Sequence, residues 1–170
     1  MFRLSFTPTD FHTGYLHICV QGKELTEYTK DGKLYYGKCC YDSFSQWLSK
    51  SLPYILAHDP YPIPIWGETA AEWRRNTLLR FRKTAPELTQ KEKLLVHEWS
   101  CRHWADSCAD EGMIPSVCFR SVNGYVEISW GIFNNLYGDI RSTHEEGLAY
   151  ISHESFQKEA ERFIDSYKTP

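Results

Sequence analysis

Apolar and polar residues alternate along Phe2 to Thr7 and again along Tyr15 to Gln21, YLHICVQ, so both segments read as strands. Gly22-Lys23 and Asp31-Gly32 are turn signals, and Lys33 to Gly37 is a third strand that can complete a meander. The period then changes. Phe44, Trp47, Leu48, Leu52, Ile55 and Leu56 follow helical spacing from a cap at Asp42 or Ser43 to about Ala57, with Pro53 as a point of kinking. The stretch DPYPIPIWG has three prolines in six residues and reads as an extended connector packed along the domain. Glu68 to Lys83 reads as a second helix, with Ala70, Ala71, Trp73, Leu78 and Phe81 apolar and Arg74, Arg75, Arg80 and Arg82 outside. Thr89 and Glu92 form a capping box. It opens what reads as the longest helix, about Gln90 to Asp110, ended by Glu111-Gly112. One stripe of that helix carries Leu94, Glu98, Cys101, Ala105 and Cys108; the next carries Leu95, Trp99, Arg102, Asp106 and Ala109.

The clearest pattern follows. Val117 to Trp130 alternates around Asn123-Gly124, the dipeptide that favours a two-residue hairpin turn. That turn sets Val122 opposite Tyr125, Arg120 opposite Glu127, Phe119 opposite Ile128 and Val117 opposite Trp130. One face then holds Val117, Phe119, Val126, Ile128 and Trp130 and must be buried. The other holds Cys118, Arg120, Val122, Tyr125, Glu127 and Ser129, with Arg120 and Glu127 as an exposed cross-strand ion pair. Gly131 to Thr143 reads as a loop and Gly147 to Ile151 as a strand. Ser152 caps a last helix, His153 to Tyr167, with Phe156, Ala160, Phe163 and Ile164 on its apolar stripe. The expected fold is a single α+β domain over residues 1–170: an antiparallel sheet, built from the N-terminal meander and the C-terminal hairpin, packed with four helices.

Composition narrows the classes. A chain of 170 residues with 42% apolar residues can bury a substantial core. Aromatics at 15% are a rich share, and surplus Trp and Tyr mark binding surfaces as well as cores, with the core the first account of any one of them. Residues 71–93 carry seven Lys/Arg against three Asp/Glu, while residues 104–170 carry five against eleven. The acidic C-terminal part repels nucleic acid and attracts basic proteins. Arginines 74 to 82 could touch phosphates, but no base-reading motif accompanies them. No run of about 20 apolar residues exists for a membrane span, and the N-terminus has no secretory h-region. A cytoplasmic protein with reduced cysteines is the expectation.

Candidate chemistry is sparse. In His97-Glu98-x-x-Cys101 the cysteine stands where a zinc protease has its second histidine; cysteine can ligate zinc, but no second His or Cys pair lies nearby at metal-site spacing, so neither metal nor cofactor is expected. Adjacent Cys39 and Cys40 read as small apolar residues. There is no GxxxxGK[ST], GxGxxG, GxSxG or CxxC. Arg102, His103 and Glu127 could act together as a hydrolase or nuclease site only if the long helix packs on the polar face of the hairpin and His103 meets solvent. The binding candidates are Arg120, Tyr125 and Glu127 on that face, with the acidic Asp139, Glu145 and Glu146 that follow.

The run from Trp99 to Trp130 carries W-x-x-R-H, then E-G-M-I-P, then V-E-I-S-W. In this it resembles an uncharacterised bacterial module that accompanies toxin–immunity and defence-type proteins. Met113 stands where that module has a second glycine. The resemblance implies a bacterial conflict-system context and no catalytic role. The expected function is therefore a non-enzymatic protein-binding module, an immunity-type inhibitor of a basic toxin domain or a defence-complex subunit. The alternative is the small hydrolase or nuclease.

Overall fold

Asn123 and Gly124 both take positive φ, at 50° and 83°, the backbone a type I′ turn requires. The two strands they join, Val117–Val122 and Tyr125–Trp130, pair in the register the alternation predicts, from Val122 opposite Tyr125 to Val117 opposite Trp130. Around this hairpin the chain is ordered as follows in a computed structural model that describes residues 1–82, 88–108, 116–131, 140–144 and 146–166. Strands β1 (Phe2–Pro8), β2 (Thr13–Val20), β3 (Lys23–Glu24), β4 (Glu27–Lys30), β5 (Lys33–Tyr36) and β6 (Lys38–Cys40) come first. Helices α1 (Tyr41–Leu56), α2 (Ala70–Arg82) and α3 (Gln90–His103) follow, then a 3-10 turn at Ala105–Cys108. The hairpin strands are β7 and β8. β9 (Arg141–Ser142), β10 (Gly147–Ser152) and α4 (His153–Asp165) close the described chain. The fold is α+β, and the strand pairings are antiparallel.

The strands fall into three sheets, where the sequence suggested one. β2 is flanked by β1 on one side and by β3 and β6 on the other; β8 lies between β7 and β10; β4 lies between β5 and β9. The expected third meander strand, Lys33–Tyr36, pairs with β4, and β6 takes the place beside β2. The reason is local. Asp31-Gly32 forms a tight turn with Asp31 and Gly32 both at positive φ, and this folds β5 back on Glu27–Lys30, a segment too polar to signal itself.

One continuous core joins the N-terminal sheet to the hairpin. Leu4, Leu16, Ile18 and Val20 meet Phe44, Trp47, Leu48 and Ile55 of α1, Phe156, Ala160 and Phe163 of α4, and Val117, Phe119, Val126, Ile128 and Trp130 of the hairpin. α1 starts earlier than the Asp42/Ser43 cap predicts, with Cys40 as an N-cap that makes no side-chain bond. Tertiary contact replaces the cap: the Tyr41 hydroxyl donates to the Phe163 carbonyl of α4 at 2.8 Å. Pro53 sits inside α1, and the helix runs on to Leu56 with the Ala57 amide donating to the Pro53 carbonyl. α1 is also longer than α3, 16 residues against 14. The Thr89–Glu92 capping box forms as predicted, but α3 ends at His103. Trp104 turns extended and bridges Cys118, so it belongs to the edge of the hairpin sheet. The buried face of α3 is Val96, Trp99 and His103, a different line from the two stripes read off the sequence. The predicted stop at Glu111-Gly112 lies outside the described residues.

A second, smaller cluster fills the opposite side of the hairpin. Ala70 and Ala71 of α2, Trp99, Trp104 and Cys118 are buried there with Tyr61 and Trp73 against them. The hairpin is therefore a middle layer with packing on both faces. No helix among the described residues is long and apolar enough to cross a membrane.

Candidate functional site on the hairpin sheet

The polar face of the hairpin is covered over Arg120, Glu127 and Ser129 and open at Tyr125, where its alternation suggests a solvated face throughout. Glu127 is completely buried and Arg120 nearly so, because the N-terminus of α2 is seated on them. A helix begins with four amides that lack intrahelical partners. At α2 all four are accounted for. The Thr69 amide donates to Glu72 Oε2, and the Glu72 amide donates back to Thr69 Oγ1, a capping box in Thr-Ala-Ala-Glu. The remaining two go to the hairpin. Ala70 N–H donates to Glu127 Oε1 at 2.9 Å and Ala71 N–H donates to Ser129 Oγ at 3.3 Å. Glu127 thus places a carboxylate where the helix dipole favours negative charge.

Arg120 completes this cluster. Its guanidinium donates to Glu127 Oε2 and, at 2.7 Å, to the Glu68 carbonyl, and lies 3.9 Å from the centre of the Trp73 ring. Trp73 in turn donates its indole N–H to the Gly67 carbonyl. The predicted pair across the strands exists, but it clamps α2 to the hairpin, and neither Arg120 nor Glu127 is presented to a partner.

Arg102 and His103 belong to another cluster. Asp59, from the proline-rich connector, sits against both: Arg102 Nε donates to its Oδ2 at 2.9 Å, and His103 Nε2 lies 2.9 Å from the same oxygen. The connector is pinned a second time where Trp99 donates its indole N–H to the Asp59 carbonyl. His103 Nδ1 donates to the Phe119 carbonyl at 2.7 Å, and the ring stacks on Trp99 with centroids 4.3 Å apart. His103 is wholly buried, and both its nitrogens are occupied. Burial pulls its pKa below the ordinary histidine value, and the contacts with Asp59 and the Phe119 carbonyl pull the other way and reduce the shift. The two clusters are linked by a chain of rings, from Arg120 over Trp73, edge-to-face to Trp99, which stacks on His103.

Glu127 therefore bonds to the α2 terminus, while Arg102 and His103 bond to Asp59. The catalytic alternative needed the three on one solvent-facing pocket. Among the described residues no group of three or more His, Cys, Asp or Glu side chains is placed to hold a metal ion. The cysteines at 19, 39, 40, 101 and 118 are free thiols. Burial and the neighbouring Glu24 push the Cys19 thiol up to about 12, and burial pushes Cys39 as high, so neither is a nucleophile at neutral pH.

What remains open to solvent is the half of the same sheet face that α2 leaves uncovered. The register places Tyr150 opposite Glu127 and Leu148 opposite Ser129, so both share the face on which α2 sits. Tyr125 is 51% exposed, Tyr150 48% and Leu148 39%, a row of large apolar surfaces on adjoining strands. Glu146 stands at its margin, exposed and paired with Arg75 of α2. β10 is an edge strand that pairs, among the described residues, only with β8. The N-terminal edge strand is treated differently. There Glu159 accepts from the Leu4 amide at 2.7 Å and Arg162 donates to the Leu4 carbonyl, so two side chains of α4 cover the free backbone. Of the predicted binding residues, Tyr125 and Glu146 reach this surface, Arg120 and Glu127 lie beneath α2, and Asp139 and Glu145 lie outside the described residues. Sequence reading missed Leu148 and Tyr150. Gly147–Ile151 reads as a strand in the sequence, but only its pairing with β8 puts these two side chains on this face.

Comparison of the chain with known protein families, curated proteins and solved structures finds no match.

Proposed function

We propose that the chain is a non-enzymatic protein-binding module whose docking surface is the uncovered half of the hairpin sheet, Tyr125, Leu148 and Tyr150 with Glu146 at the rim. The observation that carries this reading is the exposed row of two tyrosines and a leucine along an edge strand that, among the described residues, pairs only with β8. Rigid aromatic side chains on a sheet offer large contact area at low entropic cost. The excess of Asp and Glu in residues 104–170 favours a basic partner and fast, salt-sensitive association. An immunity-type inhibitor of a toxin, or a subunit of a defence complex, is the class of protein this fits. The hydrolase or nuclease alternative gains no support, since a buried histidine with both nitrogens engaged has no route to a substrate.

The test is affinity capture from a bacterial host lysate at low and high salt, comparing the native chain with a Tyr125→Ser/Tyr150→Ser double variant. The expected result is a stoichiometric basic protein retained by the native chain, weakened by salt and lost by the variant. Both substituted residues are about half exposed, so thermal stability should barely change. Equal capture by the two proteins, or capture of nothing, overturns the proposal.

A further inference from the structure

We infer that β10 is the edge on which a second copy of this chain pairs, so that two hairpin sheets join about a two-fold axis into one antiparallel sheet of six strands. Each copy contributes three strands, and β10 is an outer one among the described residues. An edge strand presents unpaired backbone N–H and C=O groups, and proteins guard such edges with charge, proline, bulges or covering side chains. Glu159 and Arg162 guard β1 in this way. β10 reads Gly-Leu-Ala-Tyr-Ile-Ser, with no charge and no proline, and pairs in unbroken register with β8. It has none of these guards in its own sequence, and strand addition needs only its backbone.

Symmetry restricts the register. A two-fold axis relating two antiparallel strands stands perpendicular to the sheet, so residues set opposite each other must share a face. Centred on Ala149, the pairing sets Leu148 opposite Tyr150 of the second copy, twice by symmetry. Both residues lie on the face of Glu127 and Ser129, their partners on β8, and both are exposed. An aromatic opposite an aliphatic side chain stabilises an antiparallel pair. Glu146, just before the strand, falls opposite Ser152, so no like charges meet there. Because pairing uses the backbone edge, Tyr125, Leu148 and Tyr150 still project from the sheet face, and the dimer joins two copies of that row into one. The inference needs only the chain itself and does not rest on the proposed partner.

The experiment is sedimentation equilibrium of the native chain and of two variants, Leu148→Lys/Tyr150→Lys and Leu148→Glu/Tyr150→Glu, alone and mixed. The native chain should form a reversible dimer, with amide exchange at residues 147–152 slowing as concentration rises. Each variant alone sets like charges directly opposite and loses both apolar cross-strand pairs, so its dimer should weaken by about tenfold or more. The equimolar mixture sets lysine opposite glutamate at both pairs and should regain a one-to-one heterodimer. Both substituted positions are exposed, and circular dichroism checks that the variants fold. A native chain that stays monomeric at millimolar concentration, a dimer unaffected by the two lysines, or a mixture that associates no better than either variant would each overturn the inference. A monomeric native chain that still captures a basic protein through Tyr125 and Tyr150 would leave the docking surface standing, so the two readings fail separately.

Discussion

Two charged clusters flank the hairpin, and they differ in what encloses them. Arg120 and Glu127 are sealed under the start of α2, where the Ala70 amide and Arg120 satisfy the carboxylate and Trp73 covers the guanidinium. Asp59, Arg102 and His103 lie at the end of α3 with one side open: the Asp59 side chain is 21% exposed and that of Arg102 30%. Both clusters join a helix end to the hairpin, and Phe119 and Arg120 that receive them are consecutive residues. The difference is dielectric. A sealed pair loses its hydration and has only its protein partners, so removing one partner strands the other. A half-open pair can replace a lost partner with water, so its contribution is smaller and salt screens it. Two guanidinium–carboxylate contacts therefore differ in worth, and burial decides.

The most severe way to break this contrast is Glu127→Ala. It leaves the Arg120 guanidinium and the Ala70 amide buried without their acceptor, and the expected loss is about 3–5 kcal/mol of unfolding free energy. Glu127→Gln keeps an acceptor for Ala70 and should lose less. Urea denaturation of the three proteins measures both. If alanine costs under about 1 kcal/mol, the cluster is not sealed in the way described.

Asp59→Ala attacks the open cluster. It removes the acceptor of Arg102 and the partner of His103 Nε2, but water can reach the site. The expected cost is about 1–3 kcal/mol, with a smaller effect at high salt. Because the Asp59 side chain pins the proline-rich connector to Arg102 and His103, proteolysis near residues 57–66 should accelerate as well. A loss as large as that of Glu127→Ala, insensitive to salt, would erase the distinction between the clusters.

The contrast was only partly legible beforehand. Period-two alternation around Asn123-Gly124 specified the hairpin register pair by pair, because strand side chains alternate strictly and the turn fixes the frame. It could not tell that the polar face would be covered. Arg120, Glu127 and Ser129 look like a solvated face until α2 is placed on them, and that placement is tertiary. One local clue existed: Thr69-Ala-Ala-Glu72 is a capping box that sets the helix start at Ala70, two residues after Glu68. An apolar helix start such as Ala70-Ala71 then fits closely over a sheet. The convergence of Asp59 on Arg102 and His103 had no signal at all, since 43 residues separate Asp59 from Arg102 and only packing of the connector brings them together. Glu27–Lys30 was invisible for the opposite reason: it is too polar to show a period.

The smallest expected effect concerns pH, and it distinguishes the two clusters by their neighbours. Glu72 accepts from the Glu68 and Thr69 amides at the start of α2, and those backbone bonds hold its carboxyl below the ordinary glutamate value. A lowered folded-state pKa means that the unfolded chain binds the proton first. The stabilisation is then fully present above the unfolded value of about 4.3 and is lost as pH falls through the folded-state value. Protonated Glu72 is a poorer acceptor for the amides of the α2 N-terminus, so the sealed cluster loosens from its rim while Glu127 stays inside. The expected observation is an acid-side decline in melting temperature that is shallower in Glu72→Gln than in the native chain, with the two curves parallel above about pH 5. The Glu72 side chain is 34% exposed, so solvent screens it, and the difference should be small and should shrink further in high salt. Parallel curves over the whole acid range would show that the capping box contributes nothing to seating α2, leaving Glu127 and Ser129 to hold the helix start alone.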